Sequence, residues 1–115
     1  MNADDVRSAA QILDGVVHTT PIQTSEAFSR LLGAPVVLKC EHLQRTGSFK
    51  VRGALVRLAR LTQAERAAGV VAASAGNHAQ GVAWSATRLG IASTVYMPSE
   101  AAIPKVEATR SYGAQ

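Results

Sequence analysis

The sequence has a single cysteine, Cys40, so no disulfide can close within it and no cluster of thiolates can hold a metal. Cys40 follows the apolar run Val36-Val37-Leu38, which predicts a buried thiol packing as a small hydrophobe. Aromatic residues are scarce, at 4%, and Phe49 alone falls among the basic residues Arg45, Lys50, Arg52, Arg57, Arg60 and Arg66. Without interleaved aromatics there is no platform for stacked bases, so a net charge of +4 does not indicate a nucleic-acid partner. Most of these cations predict a solvated helix face, with one or two available to an anionic small molecule. No apolar run reaches the roughly 20 residues that span a bilayer. The start, Met1-Asn2-Ala3-Asp4-Asp5, is acidic and unlike a targeting peptide, so a cytoplasmic protein with no membrane partner is expected.

What is present is a folded composition, 47% hydrophobic against 17% charged, in 115 residues that allow one small domain with a modest core. Asn2 predicts the cap of a first helix, with Val6, Ala9, Ala10 and Leu13 at helical spacing and Gly15 as its stop. His18-Thr19-Thr20-Pro21 predicts an extended connection, and Ser25 the start of a short helix through Leu32. Val36-Val37-Leu38 predicts a buried strand. Val51, Ala54, Leu55, Leu58 and Leu61 form a helical stripe beginning near Ser48, and Thr62 to Glu65 has capping-box spacing. Val70 to Ala73 predicts a strand, Ala79 to Leu89 a helix, Ile91 to Met97 a strand, and Ile103 to Tyr112 a last helix. Gly113 is read as its stop, with a further strand to follow. This alternation predicts an α/β fold, a parallel sheet with flanking helices.

Two segments carry chemistry. Lys50 lies in Thr46-Gly47-Ser48-Phe49-Lys50-Val51-Arg52-Gly53-Ala54, where Gly47 and Gly53 permit close backbone approach and Ser48 can cap the helix. A lysine that attacks an aldehyde needs desolvation or a nearby cation, and Phe49 and Arg52 are the neighbours able to provide them. Position alone does not separate such a lysine from an ordinary solvated charge. The second segment, Ser74-Ala75-Gly76-Asn77-His78-Ala79-Gln80-Gly81, sits at a strand-to-helix turn. Backbone amides at a helix N-terminus bind anions, and open α/β sheets bind ligands at the carboxyl ends of their strands. An ordinary helix cap by Ser74 or Asn77 remains equally open on these residues alone.

Together the two segments resemble the fold-type II pyridoxal phosphate (PLP) enzymes, and within them the serine/threonine dehydratases. Glu41 to Ala54 is similar to their lysine segment almost residue for residue, and Ser74 to Gly81 to their asparagine loop. Met97-Pro98, Lys105 to Thr109 and Thr20-Pro21 extend the likeness from about residue 17 onward. The resemblance implies a tryptophan-synthase-β-like catalytic domain, with residues 1–50 in its larger lobe and about 51–115 in its smaller one. It implies that Lys50 holds PLP as a Schiff base and then takes the substrate α-proton, that Phe49 packs on the cofactor ring, and that Asn77 bonds the cofactor's 3′ hydroxyl. Ser74, Ala75, Gly76, Asn77 and His78 would surround the substrate carboxylate, and Arg52 would support the site without catalysing.

The implied reaction is α,β-elimination of an amino-acid substrate: L-threonine to 2-oxobutanoate and ammonia, with L-serine to pyruvate as a companion. A homo-oligomer and a place in amino-acid metabolism, such as isoleucine biosynthesis, go with that resemblance. The family's glycine-rich phosphate loop and its group facing the pyridine nitrogen lie beyond Gln115, so the sequence is expected to be the N-terminal portion of a larger catalytic domain. The threonine-rich loop of cysteine and cystathionine synthases differs from Ser74-Ala75-Gly76-Asn77-His78. Serine racemases commonly carry serine, the second-face base, where Ala75 stands here. A serine dehydratase, a serine racemase, or a non-catalytic remnant serving as an interaction module are the alternatives; intact Lys50 and Asn77 speak against the last.

Overall fold

A computed structural model describes all residues from Met1 to Gln115. Helix α1 (Ala3–Leu13) begins at Asn2, whose side chain accepts from the Asp5 amide while the Asp5 carboxylate accepts from the Asn2 amide. After the expected extended connection, β1 (Ile22–Thr24) pairs antiparallel with β2 (Val37–Lys39), Ile22 facing Lys39. Between them α2 (Glu26–Leu32) starts at Ser25 and stops at Gly33, whose φ of 65° only glycine adopts freely. Strand β1 has no sequence signal: three residues are too few to show alternation. The buried strand expected at Val36 to Leu38 is corrected: β2 starts one residue later, and all three residues of β1 and of β2 are exposed. A two-stranded ribbon has two free faces, and here neither is shielded.

A short 3₁₀ turn (Glu41–Leu43) leads to α3 (Lys50–Ala59), then α4 (Gln63–Ala68), β3 (Val70–Ala73), α5 (Asn77–Arg88), β4 (Ser93–Tyr96) and α6 (Ile103–Ser111). The capping box read at Thr62 and Glu65 is present at the start of α4. Strands β3 and β4 pair in parallel, Val70 with Ser93 through Ala73 with Tyr96, as the β–α–β order requires. Beyond the turn at Gly113, Gln115 donates to the Ser93 carbonyl and accepts from the Val95 amide, so the ladder continues on the other edge of β4.

The core lies where α3 crosses α5. Val51, Ala54, Leu55 and Leu58 of α3 are buried, as their spacing predicts, against Ala79, Gly81, Val82, Ala83 and Ala86 of α5. Small residues on α5 let the two backbones approach closely. Of 18 buried residues only Thr20, Cys40, Gln44 and Ser48 precede Lys50, which confirms the buried reading of Cys40. The radius of gyration, 16.5 Å, exceeds the roughly 13 Å of a closed globule of this length, because the β1–α2–β2 unit stands away from that core.

Candidate active site

Lys50 is the first residue of α3, and a braced turn delivers it. Thr46 and Gly47 are both left-handed, with φ of 63° and 68°. A β-branched residue in that region is strained, and such strain persists only where surrounding contacts over-determine it. Those contacts are present. The Gln44 side chain donates to the His18 carbonyl and accepts from the His18 amide, both at 2.8 Å. Arg45 donates from Nε to the Val16 carbonyl at 2.6 Å, and its guanidinium lies 5.5 Å from the Trp84 ring centre on α5. Ser48 is buried but is not the helix cap expected of it: Phe49 occupies the cap position with helical backbone and no side-chain bond. The Ser48 hydroxyl reaches only the Lys50 amide, at 3.4 Å.

Arg52 does not serve Lys50 as a neighbouring cation. Its guanidinium forms two 2.7 Å bonds to the Glu41 carboxylate, which also accepts from the Thr20 hydroxyl at 2.5 Å. The hydrogen bond from Arg52, aided by that from Thr20 and against the penalty of burial, lowers Glu41 from 4.5 to about 2. Arg52 is raised in turn by Glu41. The first turn of α3 is thereby clamped to the 3₁₀ turn and to the segment around Thr20. Lys50 itself forms no ion pair and is exposed, its Nζ 5.3 Å from the centre of the Phe49 ring.

At the second segment, Ser74 closes its own turn: its hydroxyl accepts from the Gly76 amide at 3.2 Å, outside the helix. Gly76 is the cap residue of α5 and provides no side chain, so the amides of the first turn keep no capping acceptor. The ordinary cap allowed by the sequence is therefore absent. Asn77 and His78 are exposed there, while Ser74, Ala75 and Gly76 are half-buried. The expected close approach at Gly53 is also absent, since a Cβ there would meet nothing within 4 Å.

The two segments meet at Gly81, where a Cβ would lie 3.2 Å from the Lys50 carbonyl carbon and from the Val51 nitrogen. Phe49, Lys50 and His78 line one cleft of about 550 Å³, floored by Ala54, Val70 and Val82. Ser74 and Ala75 line a second, of about 420 Å³, with Tyr96, Met97 and Pro98. Gly76 and Asn77 follow in the chain between the two groups and border neither. Sequence reasoning missed Glu41 and Gln44 as braces; a carboxylate and an amide ahead of a helix carry no periodic signal. No group of three potential metal ligands exists, and no helix is long and apolar enough to cross a membrane.

The chain has relatives among known proteins. Relatives include an L-threo-3-hydroxyaspartate ammonia-lyase of Pseudomonas, 53% identical over 96% of this chain and 34% of its own length. An L-threonine ammonia-lyase of Thermotoga maritima is 49% identical over 97% of this chain and 28% of its own. Among solved structures, serine racemase from Dictyostelium discoideum superposes with a TM-score of 0.90 at 35% identity, over 97% of this chain and 37% of its own. The chain thus spans about a third of the length of the proteins it matches. Their names divide between ammonia-lyases and a racemase, and the family model that fits residues 13–115 is the pyridoxal-phosphate dependent enzyme model. The chain belongs to the pyridoxal-phosphate dependent enzyme family, with the α/β architecture its strand–helix alternation predicts.

Proposed function

We propose that the whole protein is an ammonia-lyase that converts L-threonine to 2-oxobutanoate and ammonia, and L-serine to pyruvate. One observation carries it: α5, whose N-terminus is uncapped, packs through Gly81 on the backbone of Lys50, whose amine forms no ion pair. A free amine, an amide side chain at Asn77 and unshared backbone amides suit a phosphorylated aldehyde cofactor and an amino-acid carboxylate. Bound PLP supplies an electron sink for the carbanion of the substrate. The chain's own residues do the rest. Lys50 would hold the cofactor through Nζ and, when the substrate amine takes its place, would accept the α-proton on that nitrogen; Phe49 would pack on the cofactor ring. Asn77 would donate to the cofactor hydroxyl, while Ser74, Ala75, Gly76 and His78 would hold the carboxylate with Asn77 through amides and polar side chains. Ala75 offers no proton on the opposite face, which favours elimination over racemisation. We place residues 1–50 with a larger lobe and 51–115 with a smaller one; β1–β2 and β3–β4 fall on either side of that division.

A second substrate has support. The hydroxyaspartate lyase relative acts, by its name, on a substrate with another carboxylate, and Arg57 lines the Lys50 cleft without an ion pair of its own. Comparing kcat/KM for L-threonine, L-serine and L-threo-3-hydroxyaspartate decides between them. The central test is spectroscopic: whole protein loaded with PLP shows the visible absorption of a lysine-linked cofactor, and Lys50→Ala abolishes it. A wild-type protein that takes up no PLP refutes the proposal. Asn77→Ala keeps the covalent link but shifts the band and lowers turnover; an unchanged band and rate would remove Asn77 from the site.

A further inference from the structure

We infer that Gly81 is a positioning residue that sets the gap between Lys50 and Asn77; the inference rests on the cofactor roles just proposed for those two residues. Glycine is a poor choice in the interior of a 12-residue helix, where alanine would be favoured. No backbone need explains it, because Gly81 is not among the glycines with positive φ. Space does. A Cβ at Gly81 would lie 3.2 Å from the Lys50 carbonyl carbon, 3.2 Å from the Val51 nitrogen and 3.3 Å from the Lys50 oxygen.

These are backbone atoms, which cannot rotate aside as a side-chain end can. Nor is the Lys50–Val51 peptide free to retreat: Val51 is fully buried, and Arg52 is held in two hydrogen bonds by Glu41. A methyl group at 81 therefore pushes α3 and α5 apart at this point. Asn77 lies four residues earlier on the same face of α5, one turn away. Its amide moves with that turn, away from Lys50. Gly53 is the contrasting case, a helical glycine whose Cβ would meet nothing within 4 Å.

The test is Gly81→Ala in the whole protein loaded with PLP. The expected protein retains PLP on Lys50, seen by borohydride reduction and peptide mass, yet shifts the visible band in the direction Asn77→Ala shifts it. Its kcat falls about tenfold, since a 1 Å misplacement reaches a hundredfold. Gly53→Ala, in the same cleft, reports in its thermal midpoint the gain from helix propensity where a Cβ meets nothing within 4 Å. A Gly81→Ala band and kcat equal to wild type overturn the inference. Overpacking can also unfold a domain, so the band is read on the folded fraction that retains PLP, and the substitution is repeated with Glu41→Gln, which frees the first turn of α3. The double variant should lose less than the two single changes combined; strict additivity of the band shifts overturns the inference as well. Failure of the cofactor proposal looks different, because wild type itself then lacks the band and Gly81 has no pair to space.

Discussion

Up to Ser48 the chain is tied down chiefly by polar side chains, whereas from Val51 onward it is held by buried apolar ones. Gln44, Arg45 and Lys39 reach the backbone carbonyls of His18, Val16 and Thr20, and Glu41 grips Arg52. Beyond the lysine, Leu58, Ala86 and Ile91 form an apolar cluster with Leu61, Val70 and Leu89 against it. Burial is non-directional, while hydrogen bonds fix angle and distance. Lys50 stands at the seam, with a core behind it and a polar clamp before it. That division teaches how an exposed lysine is aimed: the core gives α3 its stability, and the clamp with Gly81 gives its first turn a place.

The widest gap between the regions appears in large-to-small substitutions. Leu58→Ala should cost about 2–5 kcal/mol in urea unfolding, because a filled site in the core empties. Leu38→Ala, on a strand residue 42% exposed, should stay within about 0.5 kcal/mol in this chain. Equal losses would mean that the β1–β2 ribbon is covered in solution, and the contrast would break.

The clamp is next in size, and pH separates it from the core. Glu41→Gln removes a charge that accepts from Arg52 and Thr20, and should cost about 1.5–3 kcal/mol at neutral pH. In the folded chain Glu41 titrates near 2 rather than 4.5, so its contribution is complete above pH 4.5 and fades as pH falls towards 2. Stability curves of wild type and Glu41→Gln should therefore converge near pH 2 and separate above pH 4.5. The Leu58→Ala deficit should hold throughout. A Glu41→Gln deficit that does not vary with pH would show that the clamp acts by shape rather than by charge.

Much of the second region was legible because repetition encodes it. The stripe Val51, Ala54, Leu55, Leu58, Leu61 and the run Ala79, Val82, Ala83, Ala86, Leu89 state a buried face several times over, and all are buried but Leu61 and Leu89, which lie just past the helix ends and are half-buried. Thr62 and Glu65 were legible because a capping box is local. The first region offered no such redundancy. Strand β1 is three residues long, and the polar braces join residues 26 to 29 apart, Gln44 to His18 and Arg45 to Val16. A single long-range hydrogen bond leaves no pattern in sequence. Lys50 and the Ser74 to Gly81 segment were found as motifs, yet their junction at Gly81 was not, since a glycine's contact is defined by what surrounds it.

Helix caps are the smallest effect and the sharpest check that the two regions differ only beyond the local scale. Asn2 caps α1 in the first region and Thr62 caps α4 in the second, each in a reciprocal box with an acid three residues on. Neither helix has a buried residue, and both caps lie on solvent-exposed first turns. The same chemistry should then have the same value: Asn2→Ala and Thr62→Ala each lose about 1 kcal/mol of helix stability. Amide exchange within α1 and α4 reads this directly as a roughly fivefold faster opening of the affected helix, with the other unchanged. If Asn2→Ala also accelerated exchange around Gln44 and Arg45, α1 would be part of the polar clamp, and the boundary between the regions would have to move towards the N-terminus.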